Sequence, residues 1–117
     1  MAAQDLTAKG ALELAGREGL LEALRDQLQK DFNRAGVPFP NLDAASPQQW
    51  ISLLRETLYR LLMEHSDQYM NLMYAVDIPE GVFRQIPLTD PVEVAEAGVE
   101  LVLRREWVKV QYRQGRH

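Results

Sequence analysis

One short run of side chains has the residue types for chemistry. Glu64, His65, Ser66 and Asp67 form the only compact set of metal-capable groups, and the one other histidine is the terminal His117. A zinc ion held by a helix wants its ligands on one face, as when two histidines stand four apart. Residues one or two apart on a helix point in different directions, and a di-iron bundle would need paired Glu-x-x-His motifs, which the sequence lacks. Glu64, His65 and Asp67 are therefore weak metal candidates, and a pocket near His65 is the setting for a small-molecule-binding or enzymatic reading. The plainer role puts His65 at the inner edge of a helix end, bonded to a carbonyl or to Asp67. No cofactor is expected.

Other routes to catalysis are thin. The chain has no cysteine, which removes thiolate nucleophiles, disulfides and cysteine-bound zinc. Ser46, Ser52 and Ser66 lack a glycine elbow, and Ser46 and Ser66 read better as helix caps. The glycines are scattered, so no phosphate-cradling loop is present. Pairs such as Glu56 or Glu64 against Glu96 or Glu100 need a fold to bring them together. The balance leans away from an enzyme.

Charge is unevenly spread. The net charge is -4, yet the five basic residues Arg104, Arg105, Lys109, Arg113 and Arg116 fall in the last seventeen positions against one acid, Glu106. Arg104, Arg105, Lys109 and Arg113 make a candidate basic patch on a C-terminal helix. Such a patch can meet phosphates, complement a helix dipole, or pair with acids such as Asp90, Glu93, Glu96 and Glu100. Without aromatic interleaving on a flat face it is a poor nucleic-acid surface. No apolar run nears the ~18 residues of a membrane span. The N-terminus has no basic region before an apolar block, so the expectation is a cytoplasmic protein.

The positioning elements follow from periodicity and caps. Hydrophobic residues make up 46% and charged residues 26% of 117 positions, values that suit one globular domain. Residues 1–19, with Gly10, Gly16 and Gly19, predict a frayed or weakly helical start with at most a loose turn or two from Thr7. Leu20, Leu21, Leu24, Leu28, Phe32 and Ala35 then share one helical face over 20–35, stopped by Gly36. Pro38 and Pro40 break the chain into a loop that Phe39 and Leu42 pin to the core. Ser46, Pro47 and Gln49 form a capping box for 47–65, with Trp50, Leu54, Leu58, Leu61 and His65 on its buried face.

Ser66 reads as a second cap, for 67–76, with a break near His65–Ser66. Asp77 and Pro79 begin a short helix over 79–86, and Asp90 and Pro91 begin the last one, 91–112. Trp107 to Tyr112 alternates as a strand would, but has no alternating partner run to pair with, so it reads as helix. Residues 20–113 form the single domain and 114–117 a disordered tail. The fold expected is all-α: a small antiparallel helical bundle of four main helices plus a short connector, packed around Ser46–Asp77.

With a generous apolar supply and no reactive centre, the best-supported function is a protein–protein interaction module, homodimeric or joined to another protein through an apolar helical face. Met70, Met73 and Tyr74 are the candidate partner-binding residues, because methionine serves adaptable surfaces as well as irregular cores.

Overall fold

The computed structural model describes residues 6–84 and 90–115, and every regular element among them is helical. The elements are α1 (Ala8–Arg17), α2 (Leu21–Ala35), α3 (Pro47–Glu64), α4 (Ser66–Val76), α5 (Glu80–Phe83) and α6 (Pro91–Arg113). The all-α class holds, with five main helices and the one-turn connector α5. Trp107 to Tyr112 are helical. No helix among the described residues is long and apolar enough to cross a membrane.

Local chemistry explains most of the boundaries. Gln49 N–H donates to Ser46 Oγ at 3.2 Å while Ser46 N–H donates to Gln49 Oε1 at 2.7 Å, and Pro47 fits the first turn of α3. Asp90 Oδ1 accepts from Val92 N–H at 2.9 Å, and Pro91 opens α6. Gly36 takes a left-handed φ of 74° at the end of α2, and Val37 N–H bonds back to Phe32 O at 2.9 Å. In the loop that follows, Leu42 is buried, Phe39 meets Phe32 edge-on at 5.1 Å, and Arg25 holds Asp43 at 3.0 Å.

Two expected caps differ. Ser66 does not cap α4; His65 closes α3 and opens α4, its N–H donating to Leu61 O and its carbonyl accepting from Gln68 and Tyr69. That extended residue (φ -147°, ψ 65°) breaks the run where expected. Asp77 terminates α4 in a left-handed conformation (φ 70°) and does not start α5, whose preceding residue is Pro79. Of the expected helix over 79–86, the described part is Glu80–Phe83, with Pro79 before it and Arg84 as its C-cap; Gln85 and Ile86 lie outside the described residues. Gln114 and Gly115 make a turn after α6, and the rest of the expected tail lies outside the described residues.

The largest correction concerns the expected weakly helical start, of which residues 1–5 lie outside the described residues: α1 spans ten residues and buries Ala8, Ala11, Leu12 and Ala15. Two helix glycines cost about 2 kcal/mol together, and three features offset them. Thr7 Oγ1 accepts from Gly10 N–H at 2.9 Å. Glu100 Oε2, from α6, accepts from Ala8 N–H at 2.6 Å, placing a carboxylate at the positive end of the helix dipole. Gly19, at φ 71°, ends the helix in the left-handed turn that lets Leu20 N–H reach Ala15 O.

The helices of the Ser46–Asp77 stretch, α3 and α4, pack against α1, α2, α5 and α6, and α6 is a second packing axis. α1, α2, α3 and α4 all pack against it. Its apolar side chains, Val94, Val99, Val102, Leu103, Trp107 and Val110 among them, spread over more than one side, as a helix with several neighbours requires. Gly98 allows the closest approach. A methyl group there would stand 2.9 Å from Tyr69 Oη and 3.1 Å from Leu58 Cδ1.

Removing the remote cap tests why α1 forms. Glu100→Ala should cost about 1–2 kcal/mol, with faster amide hydrogen exchange concentrated in α1. Unchanged exchange in α1 would mean the cap contributes nothing.

Candidate functional site

The Glu64, His65 and Asp67 set does not converge. All three are exposed, at the break between α3 and α4. Among the described residues no group of three His, Asp or Glu side chains is placed to hold a metal ion. His65 is not on the buried face of α3; the extended backbone at the helix end turns it outward. It does line, with Glu64, an open cleft of about 590 Å³ between the Pro38–Pro40 loop and α3. Glu56, Arg60 and Gln68 also line it, so its charges are mixed.

The partner-binding candidates separate as well. Met73 is 0% exposed and belongs to the core, Met70 is half-buried, and Tyr74 is exposed with its ring edge-on to Phe83 at 5.7 Å. Met73 therefore presents no surface to a partner.

The basic residues prove more informative. Arg104 turns back to its own helix, its Nε donating to Glu100 O at 3.3 Å. Arg105, Lys109 and Arg113 line a cleft of about 480 Å³ with Lys30 and Arg34 of α2. Gln27, Asp77 and Tyr112 complete its wall. The C-terminal basic patch is thus half of a cationic cleft whose other half comes from α2.

Beneath the cleft lies a polar cluster with almost no access to water. Asp31 of α2 and Glu106 of α6 are both 0% exposed, and Gln27 is 4% exposed. Gln27 Nε2 at 3.0 Å and Lys109 Nζ at 2.7 Å both donate to Asp31 Oδ2, and Arg34 Nη1 reaches Oδ1 at 3.4 Å. Lys109 Nζ also approaches Ala75 O at 3.4 Å, near the negative end of the α4 dipole, and Asp77 Oδ2 at 3.9 Å. One ammonium therefore joins α2, the end of α4 and α6.

Glu106 is the unusual member. As a carboxylate it would have no donor within hydrogen-bond reach of either oxygen, since Lys109 Nζ stops 3.6 Å from Oε1. Burying an ionised carboxylate in that state is costly. Burial pushes its carboxyl up to about 9, the hydrogen bond to Asp31 and the Asp31 charge push the same way, and Lys109 pulls back only in part. Glu106 is therefore neutral near neutral pH, and its O–H is a donor to Asp31. Asp31 responds in the opposite sense. Burial raises its carboxyl, but hydrogen bonds with Glu106, Lys109 and Gln27 outweigh it and hold the group below its ordinary value. The pair shares one negative charge and one proton.

Among the described residues, five buried side-chain polar atoms lack a hydrogen-bond partner. Four of them belong to residues of this cleft and its floor: Gln27 Oε1, Arg105 Nε and both oxygens of Glu106, which are without a partner only while Glu106 is an ionised carboxylate. Folded proteins leave few such atoms, and each one calls for an explanation. A cleft lined by five cations and one carboxylate, above a strongly perturbed carboxyl, is where a binding site is expected. Neither acid is exposed, so neither touches a molecule in the cleft; they set its charge.

The sequence carried a signal for this floor. Gln27 and Asp31 fall in the stripe of Leu24, Leu28 and Phe32, and Glu106 falls in that of Val102, Leu103, Trp107 and Val110. Polar residues in an apolar register on two helices mark a buried polar contact. Comparison with protein-family models, curated proteins and solved structures finds no match.

A pH series tests the neutral acid. Glu106 has an ordinary value of 4.5 and is raised to about 9 in the fold. Its contribution is fully present below the unfolded value and is lost as pH rises through the folded one. Asp31, depressed below 3.8, contributes above its unfolded value and loses that contribution as pH falls. Thermal melts should show the wild type losing stability steadily from about pH 5 to pH 9. Glu106→Gln, which keeps a donor for Asp31, should flatten that decline. Parallel curves for the two proteins would contradict a neutral Glu106.

Proposed function

We propose that this chain is a small helical binding module that holds an anionic group of its partner in the α2/α6 cleft. The observation that carries the reading is the gathering of Lys30, Arg34, Arg105, Lys109 and Arg113 around one cleft in a chain of net charge -4. Concentrating like charge costs stability unless counter-charge is present; Asp31 pairs with Lys109 and Arg34, and Asp77 is the one exposed carboxylate among the described lining residues, so cations remain in excess. This reading keeps an interaction role and moves it from Met70, Met73 and Tyr74 to the polar face of α2 and α6. Catalysis gains no support, because the perturbed carboxyl group is sealed below the cleft.

Heparin-agarose provides a direct test, because an acidic protein is retained on a polyanion only through a local cationic site. The wild type should bind at low ionic strength and elute as salt rises, since exposed charges are screened over about 10 Å at 0.1 M. The double variant Arg34→Glu, Arg113→Glu should pass through unretained with its helical circular dichroism unchanged. Failure of the wild type to bind at low salt would remove the proposal.

A further inference from the structure

Glu106 has no exposed surface, no donor within reach of either oxygen, and the ionised Asp31 as its hydrogen-bond partner. Its surroundings fix what its proton does. From α2 come Asp31 and, bonded to Asp31, Arg34; from α6 comes Lys109; from the end of α4 comes Asp77, which reaches Lys109. α1 and α3 turn apolar residues inward, Ala11, Leu12 and Ala15 from one and Leu54, Leu58 and Leu61 from the other.

The charge of the cleft depends on that proton. While Glu106 is neutral, five cations face the carboxylates of Asp31 and Asp77, which leaves three positive charges in excess. Ionising Glu106 would remove one of the three from directly beneath the site. Three of the five cations are the guanidinium groups Arg34, Arg105 and Arg113, whose planar forks match the oxygens of phosphate and sulfate groups. The single carboxylate already at the rim, Asp77, leaves the excess in place, so one more carboxylate suits the cleft less well than a multiply charged oxyanion.

We propose that the α2/α6 cleft takes a multiply charged oxyanion of the phosphate or sulfate type together with a proton resident on Glu106. The two bind cooperatively: an occupied cleft holds the proton more tightly, and a protonated floor holds the anion more tightly by the same factor. The proposal rests on the anion-binding reading above and adds the ligand class and its linkage to pH.

Pyrene tetrasulfonate is a suitable fluorescent probe, because its charge is constant across the range that matters. Fluorescence anisotropy at about pH 7 and about pH 10 should show wild-type affinity falling about tenfold more than that of Glu106→Gln. Calorimetry of the wild type in two buffers of different ionisation enthalpy should show proton uptake on binding at about pH 9 and none at about pH 7. That second measurement needs no variant. Inorganic sulfate or phosphate should displace the probe. Equal pH dependence in the two proteins, or zero uptake at the higher pH, would overturn the linkage while leaving the anion site standing. Displacement by hexaglutamate but not by sulfate or phosphate would overturn the ligand class. Failure of the wild type to bind the probe at either pH would remove the site itself.

Discussion

Lys109 and two carboxyl groups sealed from water hold together the part of this molecule on which the rest depends. Two buried carboxylates served by one ammonium would be a costly arrangement, since the desolvation of the second charge goes uncompensated. A proton on Glu106 resolves the conflict. It turns one acid into a donor for the other, and Asp31 keeps Lys109, Gln27 and Arg34 as its remaining partners. Buried polar networks of this kind penalise alternative packings more than apolar contacts do. α2 cannot slide against α6 without separating Asp31 from Lys109, and the end of α4 is tied to the same ammonium. The site and the core register are thus consequences of one contact.

Toward its N-terminal end, α6 works by different means. Glu100 supplies the cap that α1 cannot find within its own sequence, and Gly98 gives up its side chain so that Tyr69 and Leu58 can approach. The chain therefore uses its last helix as an axis. Capping, close packing and the polar junction follow one another along it, and each fixes a different neighbour.

What could be read from the sequence was whatever depends on near neighbours. Ser46–Gln49, Asp90–Pro91 and Gly36 are local devices, and the helices that they bound lie where the caps place them. α1 was not legible, because the carboxylate on its first turn comes from ninety-two positions away. The glycines that argue against it turn out to be a capped first turn at Gly10 and a left-handed stop at Gly19. His65 looked inward by periodicity, but the helix breaks at that residue and the register ends with it. The candidate site was half visible: Arg105, Lys109 and Arg113 stood out as a basic cluster. Their complement on α2, and the acids below, could be recognised only as polar residues in apolar register. Periodicity shows that such a residue is buried; it does not show what it meets.

The floor of the cleft gives the molecule a group that titrates well away from ordinary carboxyl behaviour, at the place where cationic side chains converge. Carbon-13 NMR of glutamate side-chain carboxyls, with Glu106→Gln used to assign the resonance, observes that proton without reference to stability or binding. One glutamate carboxyl should stay protonated through neutral pH and titrate near 9. A Glu106 resonance that moves with the other glutamates, in the ordinary carboxylate range, would contradict it.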